Sequence, residues 1–331
     1  MADFSDLIKN QFARKQVVIV GDLVADQFLR GTIARVSREA PVFILRHDET
    51  ETFPGGAANA AVNVAALGGS VSLVGLIGAD KNGESLLAKL NAQNVECRFV
   101  ISSEKQQTTT KVRVLAAQHY APRQQVIRID YENQSPIDEE TKNQLSENLI
   151  RASEDADAII FSDYNYGVAD TAIYKVANRI ARERKIPLLI DSRFHLSDFP
   201  NATTATPNLE EVEQILGGNF TDDDCETLRE RLGFEALLVT CGNKGMLLVE
   251  KNKNPLRIEA VGAKEPIDVT GAGDTVIAVY GLGLACGLSF AESARMANAA
   301  GGIVVMKKGT ASVSAEELMT SLQSPGQTTN D

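Results

Sequence analysis

Short apolar runs separated by helix-length stretches are what most constrain the fold of this chain. Val17-Val18-Ile19-Val20, residues 71–78, Asp157-Ala158-Ile159-Ile160-Phe161, Pro187-Leu188-Leu189-Ile190 and Leu237-Leu238-Val239-Thr240 are almost continuously apolar. Strands of that kind are covered on both faces, as in a parallel sheet. Amphipathic segments such as residues 80–93 lie between them. Alternating strand and helix implies right-handed crossovers and a mostly parallel central sheet, an α/β fold. Several strands run into polar loops: Gly21-Asp22, Ser162-Asp163-Tyr164 and Asp191-Ser192-Arg193. Such loops gather at the carboxyl edge of the sheet, where α/β proteins bind ligands. Asp26, just past the first, is a candidate to hold sugar hydroxyls, the alternative being an exposed loop acid.

The most chemically specific stretch is Asp268-Val269-Thr270-Gly271-Ala272-Gly273-Asp274-Thr275. Small residues at 271–273 precede an apolar run, 275–288, that reads as a helix. A helix start carries unpaired N–H groups and about half a unit of positive charge. With nothing larger than a methyl in the way, a phosphate can approach that backbone. Asp274 at its mouth is placed to take a proton from an attacking hydroxyl. Read alone, the stretch equally fits a tight turn with Asp274 as N-cap.

Residues 31–46 and 108–130 have a different texture, alternating polar and apolar as half-exposed antiparallel strands do. Residues 111–114 and 125–129 read as hairpin arms around Ala121-Pro122. Together the segments predict a small sheet, within about 31–46 and 97–130, that covers the site or meets a partner subunit. Arg35, Arg38, Lys111, Arg113 and Arg128 on it are placed to grip an anionic substrate, or serve as edge-strand charges that discourage aggregation.

Pro54-Gly55-Gly56-Ala57-Ala58-Asn59 opens an alanine-rich helix ending near Gly68. Paired glycines allow a mobile turn, and Asn59 in the first turn can reach a sugar hydroxyl; the alanines read as packing. Asn208 and Glu211, three apart, fit either a hydrated magnesium ion or an N-cap box. Cys241-Gly242-Asn243-Lys244-Gly245 after a strand suits nucleotide phosphates or a plain hairpin. Residues 293–306 form a small-residue helix containing Asn298, and the tail from 323 reads as disordered.

Composition excludes several classes. A net charge of −11 without a basic tract argues against a nucleic-acid partner. Cys97, Cys225, Cys241 and Cys286 are dispersed, without C-x-x-C, as reduced thiols are. The polar start is unlike a signal peptide, and the longest apolar run, near 276–288, falls short of the roughly 20 residues that span a bilayer. The expectation is a cytoplasmic protein away from membranes.

With both glycine motifs placed, the chain resembles the ribokinase-like (PfkB) sugar kinases over nearly its full length. The 55–59 stretch, with Gly68 and Gly78, resembles their N-terminal signature, and 268–274 the C-terminal one, with Val279 where Gly or Ala is usual. The resemblance implies one kinase domain: a three-layer α/β/α fold with a β lid. It implies Asp274 as general base and Gly271, Ala272 and Gly273 as anion hole. Asp26 and Asn59 would hold the sugar, and Gly55 and Gly56 would hinge the lid. Asn208 and Glu211 would lie near magnesium and the ATP phosphates, with Thr240, Gly242, Gly245 and Asn298 lining the nucleotide pocket. Asp268 and Thr270 would form part of a monovalent-cation (K+) site.

Within the family the likeness is greatest to heptose-7-phosphate kinases, carried by 21–23, 35–42, 110–114, 125–130, 162–164 and 268–277. Tyr166 and Arg193 stand where those kinases usually carry lysines, and Arg193 is assigned to the nucleotide side. The basic lid residues Lys111, Arg113 and Arg128 favour a phosphorylated sugar. A homodimer through the lid follows from how little a small sheet buries alone. A kinase for another sugar or nucleoside, and a catalytically idle sensor, are the competing readings.

Overall fold

The computed structural model describes residues 4–118, 122–133, 135–262 and 265–323. After a short helical segment, α1 (Phe4–Asp6), the chain enters β1 (Gln16–Gly21), β2 (Leu23–Val36) and β3 (Phe43–Gly56). Helix α2 (Ala57–Ala66), β4 (Ser70–Gly78), α3 (Lys81–Ala92), β5 (Glu96–Ser103), β6 (Thr110–Ala117) and β7 (Gln124–Tyr131) follow. Then come α4 (Glu139–Ala152), β8 (Ala158–Asp163), α5 (Thr171–Arg184), β9 (Leu188–Ser192), β10 (Thr204–Ala205), α6 (Leu209–Leu216) and α7 (Asp222–Leu232). The last elements are β11 (Ala236–Thr240), β12 (Met246–Glu250), β13 (Leu256–Ile258), α8 (Ala272–Ala285), α9 (Phe290–Val304) and α10 (Ala315–Gln323).

Nine strands form the main sheet in the order β13-β12-β11-β10-β9-β8-β1-β4-β5. Pairing is parallel from β5 across to β11 and antiparallel only at β12 and β13. Alternate side chains of one strand feed opposite cores. Val17 and Ile19 join α2, α8, α9 and α10 on one face, whereas Val18 and Val20 join α4, α5 and α7 on the other. That is the three-layer α/β/α arrangement, and it explains why the strands read as unbroken apolar runs.

The second sheet has the order β3-β2-β6-β7, antiparallel at both ends and parallel between β2 and β6. Its extent differs from the expectation. It begins at Leu23 and runs to Gly56, so Asp26, Gly55 and Gly56 belong to it. Residues 97–103 do not: β5 pairs with β4 at the edge of the main sheet. An edge strand is half exposed and so alternates in polarity much as a lid strand does. The turn at Ala121 and the tail beyond 323 lie outside the described residues, while Gln323 itself closes α10. Among the described residues no helix is long and apolar enough to cross a membrane.

Helices α2 and α8 pack side by side and set the central geometry. Small residues permit the close approach: Ala57, Ala58, Ala60 and Ala61 are all fully buried. The Thr275 hydroxyl donates to Asn63 Oδ1 across the seam (3.0 Å), and Asn63 Nδ2 donates to the Asn59 carbonyl (3.0 Å). Removing a buried polar partner costs about 1–3 kcal/mol. Asn63→Leu should therefore lower the unfolding free energy by about that amount, read as a reduced urea midpoint; an unchanged midpoint would contradict this account of the seam.

Candidate active site

Helix α8 starts at Ala272 with Gly271 as its cap residue, so Asp274 is the third helical residue and not the N-cap. Ala272 N donates to the Val269 carbonyl (3.2 Å) and Thr275 N to that of Gly271 (3.1 Å). Among the described residues this leaves the Gly273 and Asp274 amides as the donors of the helix start. Gly271 has φ +77°, and a Cβ there would come within 2.5 Å of Asn59 Nδ2. Glycine is thus required twice, for the left-handed backbone and for the approach of α2.

The two glycine-marked corners meet at one carboxylate. Asn59 Nδ2 donates to Asp274 Oδ2 at 2.7 Å, and the Tyr164 hydroxyl donates to Oδ1 at 2.6 Å. Asp274 is 3% exposed. Burial pushes its pKa up to about 6, against the lowering effect of these two hydrogen bonds. Asp26, also buried, forms an ion pair with Arg113 and lies against Gly55, where any side chain would strike its carboxylate. Gly56 turns with φ +58° into α2.

Two cavities lie along this segment: Ile267, Asp268 and Thr270 line one, Val269, Ala272, Gly273 and Val276 the other, and Asp274 itself lines neither. A cavity of about 730 Å³ lies under the small sheet, lined by Phe28, Arg30, Arg113, Arg123, Asp268, Thr270 and Lys308 among others. A narrower one of about 200 Å³ is lined by Thr240, Gly242, Gly245, Met246, Val261, Val269, Ala272, Gly273, Val276 and Asn298. All four residues assigned to a nucleotide pocket border the second. The turn there is also the hairpin of the alternative reading, since β11 and β12 pair antiparallel around it.

Other candidates have additional structural tasks. Asn208 and Glu211 form a reciprocal capping box at the start of α6, each side chain bonding the other's amide at 2.9 Å. Asp268 accepts from Thr270 N (3.0 Å) and Gly309 N (2.9 Å), so both oxygens pin backbone. Of Arg35, Arg38, Lys111, Arg113 and Arg128, the five lid cations named from the sequence, Arg113 alone lines either cavity. Lys111 and Arg128 both pair with Asp130, and neither lines either space. Arg35 and Arg38 are exposed at the sheet's far end. Tyr166 donates to Glu132 Oε1 (3.1 Å), with the Lys111 ammonium 5.2 Å from its ring centroid.

Arg193 stacks over Tyr164 at 4.8 Å. It counters a group of carboxylates: burial pushes Asp191 and Glu211 up, and Asp191 is raised further by Asp274 and Glu211. Tyr164, Asp22, Asp191, Arg30, Arg123 and Lys308 are site residues with no assigned role in the sequence: the first three stand out only as strand-end loop residues on the ligand edge, and Arg30 lies within β2 with nothing local to mark it.

A profile of the pfkB family carbohydrate kinases matches residues 14–318. The chain belongs to the pfkB carbohydrate kinase family. It is therefore a phosphotransferase with a hydroxyl acceptor, a PfkB-type sugar kinase. It is 39% identical over 329 residues to the bifunctional protein HldE of Coxiella burnetii (strain RSA 493 / Nine Mile phase I), covering 97% of this chain and 66% of that protein. Against HldE of Haemophilus influenzae (strain PittEE) it is 38% identical over 327 residues, covering 96% and 66%. The chain thus spans just under two thirds of the length of these relatives.

Its fold matches that of Escherichia coli phosphofructokinase-2 solved with potassium, at TM-score 0.75 and 21% identity over 92% of this chain and 97% of the other. Arabidopsis thaliana ribokinase, solved with ribose and ATP, matches at TM-score 0.69 and 20% identity, covering 93% and 98%. The fold is ribokinase-like, with a mostly parallel central sheet and a small second sheet.

Within this pfkB site a side chain at Gly271 would press directly on the Asn59–Asp274 contact. Gly271→Ala places a β-carbon against Asn59 and forces a left-handed alanine, a strain of about 1–2 kcal/mol. Turnover should fall roughly 10-fold or more as the Asn59–Asp274 contact is displaced. Wild-type melting temperature and turnover in this variant would contradict the arrangement.

Proposed function

We propose that this kinase transfers the terminal phosphoryl group of ATP to a hydroxyl of a phosphorylated sugar. The favoured acceptor is D-glycero-D-manno-heptose 7-phosphate, giving the 1,7-bisphosphate in the synthesis of ADP-heptose for lipopolysaccharide. The observation that carries it is the meeting of the two glycine-marked corners at Asp274, which accepts from Asn59 and Tyr164 in a segment whose neighbouring residues line one cavity (267, 268 and 270) and another (269, 272, 273 and 276). Similarity to HldE supports the heptose acceptor. Loss of activity on this sugar alongside activity on another sugar, sugar phosphate or nucleoside would redirect the substrate and keep the chemistry.

In this reading the nucleotide occupies the 200 Å³ cavity. Met246, Val261, Val269 and Val276 offer apolar walls to a base, and Thr240 and Asn298 supply polar groups. Its phosphates run toward the Gly273 and Asp274 amides and Arg193. The acceptor hydroxyl gives its proton to Asp274 as the new O–P bond forms and the β,γ bridge bond breaks; ADP leaves. Positioning and fixed charge supply most of the rate.

Magnesium fits the acid-rich edge. Asp274 and Glu211 stand close enough to Asp191 to raise its pKa. Among the described residues no cluster of three or more ligating side chains is present; a magnesium ion here would keep most of its waters. Glu211 and Asn208 would hold it through water, and when bound it neutralises charge on the phosphates. A monovalent cation beside Asp268 and Thr270 belongs to the same proposal, checked by comparing turnover in K+ and tetramethylammonium buffers; equal rates would remove it.

The acceptor's phosphate is drawn to the larger cavity. Arg30, Arg113, Arg123 and Lys308 line it in a chain of net charge −11. The three arginines pair with carboxylates, whereas Lys308 has no ion-pair partner among the described residues. A second copy of the chain is proposed to cover the sheet's outer strand, where Val126, Ile127, Ile129 and Tyr131 are 43–54% exposed. Sedimentation of a monomer at micromolar concentration would reject that dimer.

Asp274→Asn should leave ATP binding intact and lower kcat by roughly 10²–10⁴-fold; a variant with more than half of wild-type turnover would remove Asp274 as base. A base must be deprotonated, so kcat should rise with pH through about 6 and level off above it. An acid limb near pH 4 would contradict the buried carboxylate. Lys308→Ala should raise KM for the sugar phosphate roughly 10-fold or more and leave KM for ATP unchanged; an unchanged sugar-phosphate KM would place the anion elsewhere.

A further inference from the structure

Asp274 is the one group that phosphoryl transfer asks to change protonation, so what holds it bears on the chemistry. Asn59 was legible from sequence as a sugar-binding candidate. Tyr164 was not, and its 2.6 Å hydrogen bond to Oδ1 is the shorter of the two.

The backbone around Tyr164 is held by a buried carboxylate, Asp22, at the end of β1. Asp22 Oδ2 accepts from Tyr164 N (2.9 Å) and Tyr166 N (3.0 Å), and Oδ1 accepts from Val168 N (2.9 Å). Asp163 completes the turn: its Oδ1 accepts from Asn165 N (2.8 Å) and its Oδ2 from the Ser192 hydroxyl (2.7 Å). The guanidinium of Arg193 covers the Tyr164 ring. The Asp22 carbonyl also accepts from Ala57 N (3.1 Å), the first residue of the helix that carries Asn59. One residue therefore ties down both donors to Asp274, one through its side chain and one through its backbone.

We propose that Tyr164 is a positioning residue for the base and that Asp22 is the clamp that sets it, together fixing the Asp274 carboxylate between two donors. The inference rests on the kinase reading of Asp274. A carboxylate has about four acceptor positions; two are used here, and the rest remain for the acceptor hydroxyl. Both hydrogen bonds favour the charged form, which burial opposes. The other charged groups around Asp274 divide: Asp26 raises its pKa and Arg193 lowers it, while Asp191 is itself raised by Asp274. Tyr164 is pushed well above the usual phenol range by burial and by Asp274, so it stays a donor and is not itself a base.

The test is a carboxyl-carbon NMR titration of 13C-aspartate-labelled protein, with the Asp274 signal assigned by its absence in Asp274→Asn. That assignment matters because burial also lifts Asp22 to about 6. In Tyr164→Phe, which keeps the ring under Arg193, the Asp274 midpoint should rise by about one pH unit. The acid limb of kcat should follow, with turnover down about twofold at pH 7 and several-fold at pH 6, and KM for ATP unchanged. Asp22→Asn should move the Asp274 midpoint the same way and speed hydrogen exchange at the Tyr164 and Tyr166 amides. An Asp274 midpoint unmoved in Tyr164→Phe overturns the positioning role, and one unmoved in folded Asp22→Asn overturns the clamp. The titration needs no substrate, so it answers even if no sugar yields ADP, the result that would sink the kinase reading of the site instead.

Discussion

The hydrogen bond from Asn59 Nδ2 to Asp274 Oδ2, between residues 215 apart in sequence, joins the halves of this site at the carboxylate. Much of the nearby architecture serves to make that contact possible. Alanines on α2 let two helices approach, Gly271 removes the side chain that would block Asn59, and Thr275 and Asn63 close the seam behind it. A buried carboxylate without donors would tend to neutralise itself by taking a proton. With Asn59 and Tyr164 attached it stays close enough to its charged form to act as a base near neutral pH.

Electrostatics extend the same logic outward. The chain carries net charge −11, yet the larger cavity is lined by three arginines and a lysine, and the acid-rich edge holds Arg193 against three carboxylates. Local cations set against an opposing overall field mark where anions are meant to enter. Much of that positive charge is already paired within the small sheet, as Arg113 is with Asp26. An incoming phosphate would have to rearrange those pairs, which links substrate entry to the posture of the lid.

What the sequence made legible were the features encoded locally. Buried parallel strands announce themselves as apolar runs, and the 55–59 and 268–275 corners by their small residues; both appear where those patterns put them. The lid was misjudged at its edges for physical reasons. Between Gly21 and Leu23 only Asp22 separates a main-sheet strand from a lid strand, so nothing in composition marks the crossing. Residues 97–103 alternate because they form an edge strand. Tyr164 and Asp22 were legible only as loop residues on the ligand edge, because the partners that give them a role are 110 to 146 residues away. Asn208 and Glu211 show the opposite limit: one spacing served a capping box and a metal-side role alike, and only the capping box is visible in the hydrogen bonds.

The most direct measurement is a crystal structure of the complex with a non-hydrolysable ATP analogue and a sugar phosphate. The account predicts the acceptor hydroxyl within about 3 Å of an Asp274 oxygen, the analogue's terminal phosphate over the Gly273 and Asp274 amides, and the sugar's own phosphate beneath the small sheet. A nucleotide bound away from residues 267–276, or an acceptor hydroxyl out of reach of Asp274, would contradict it.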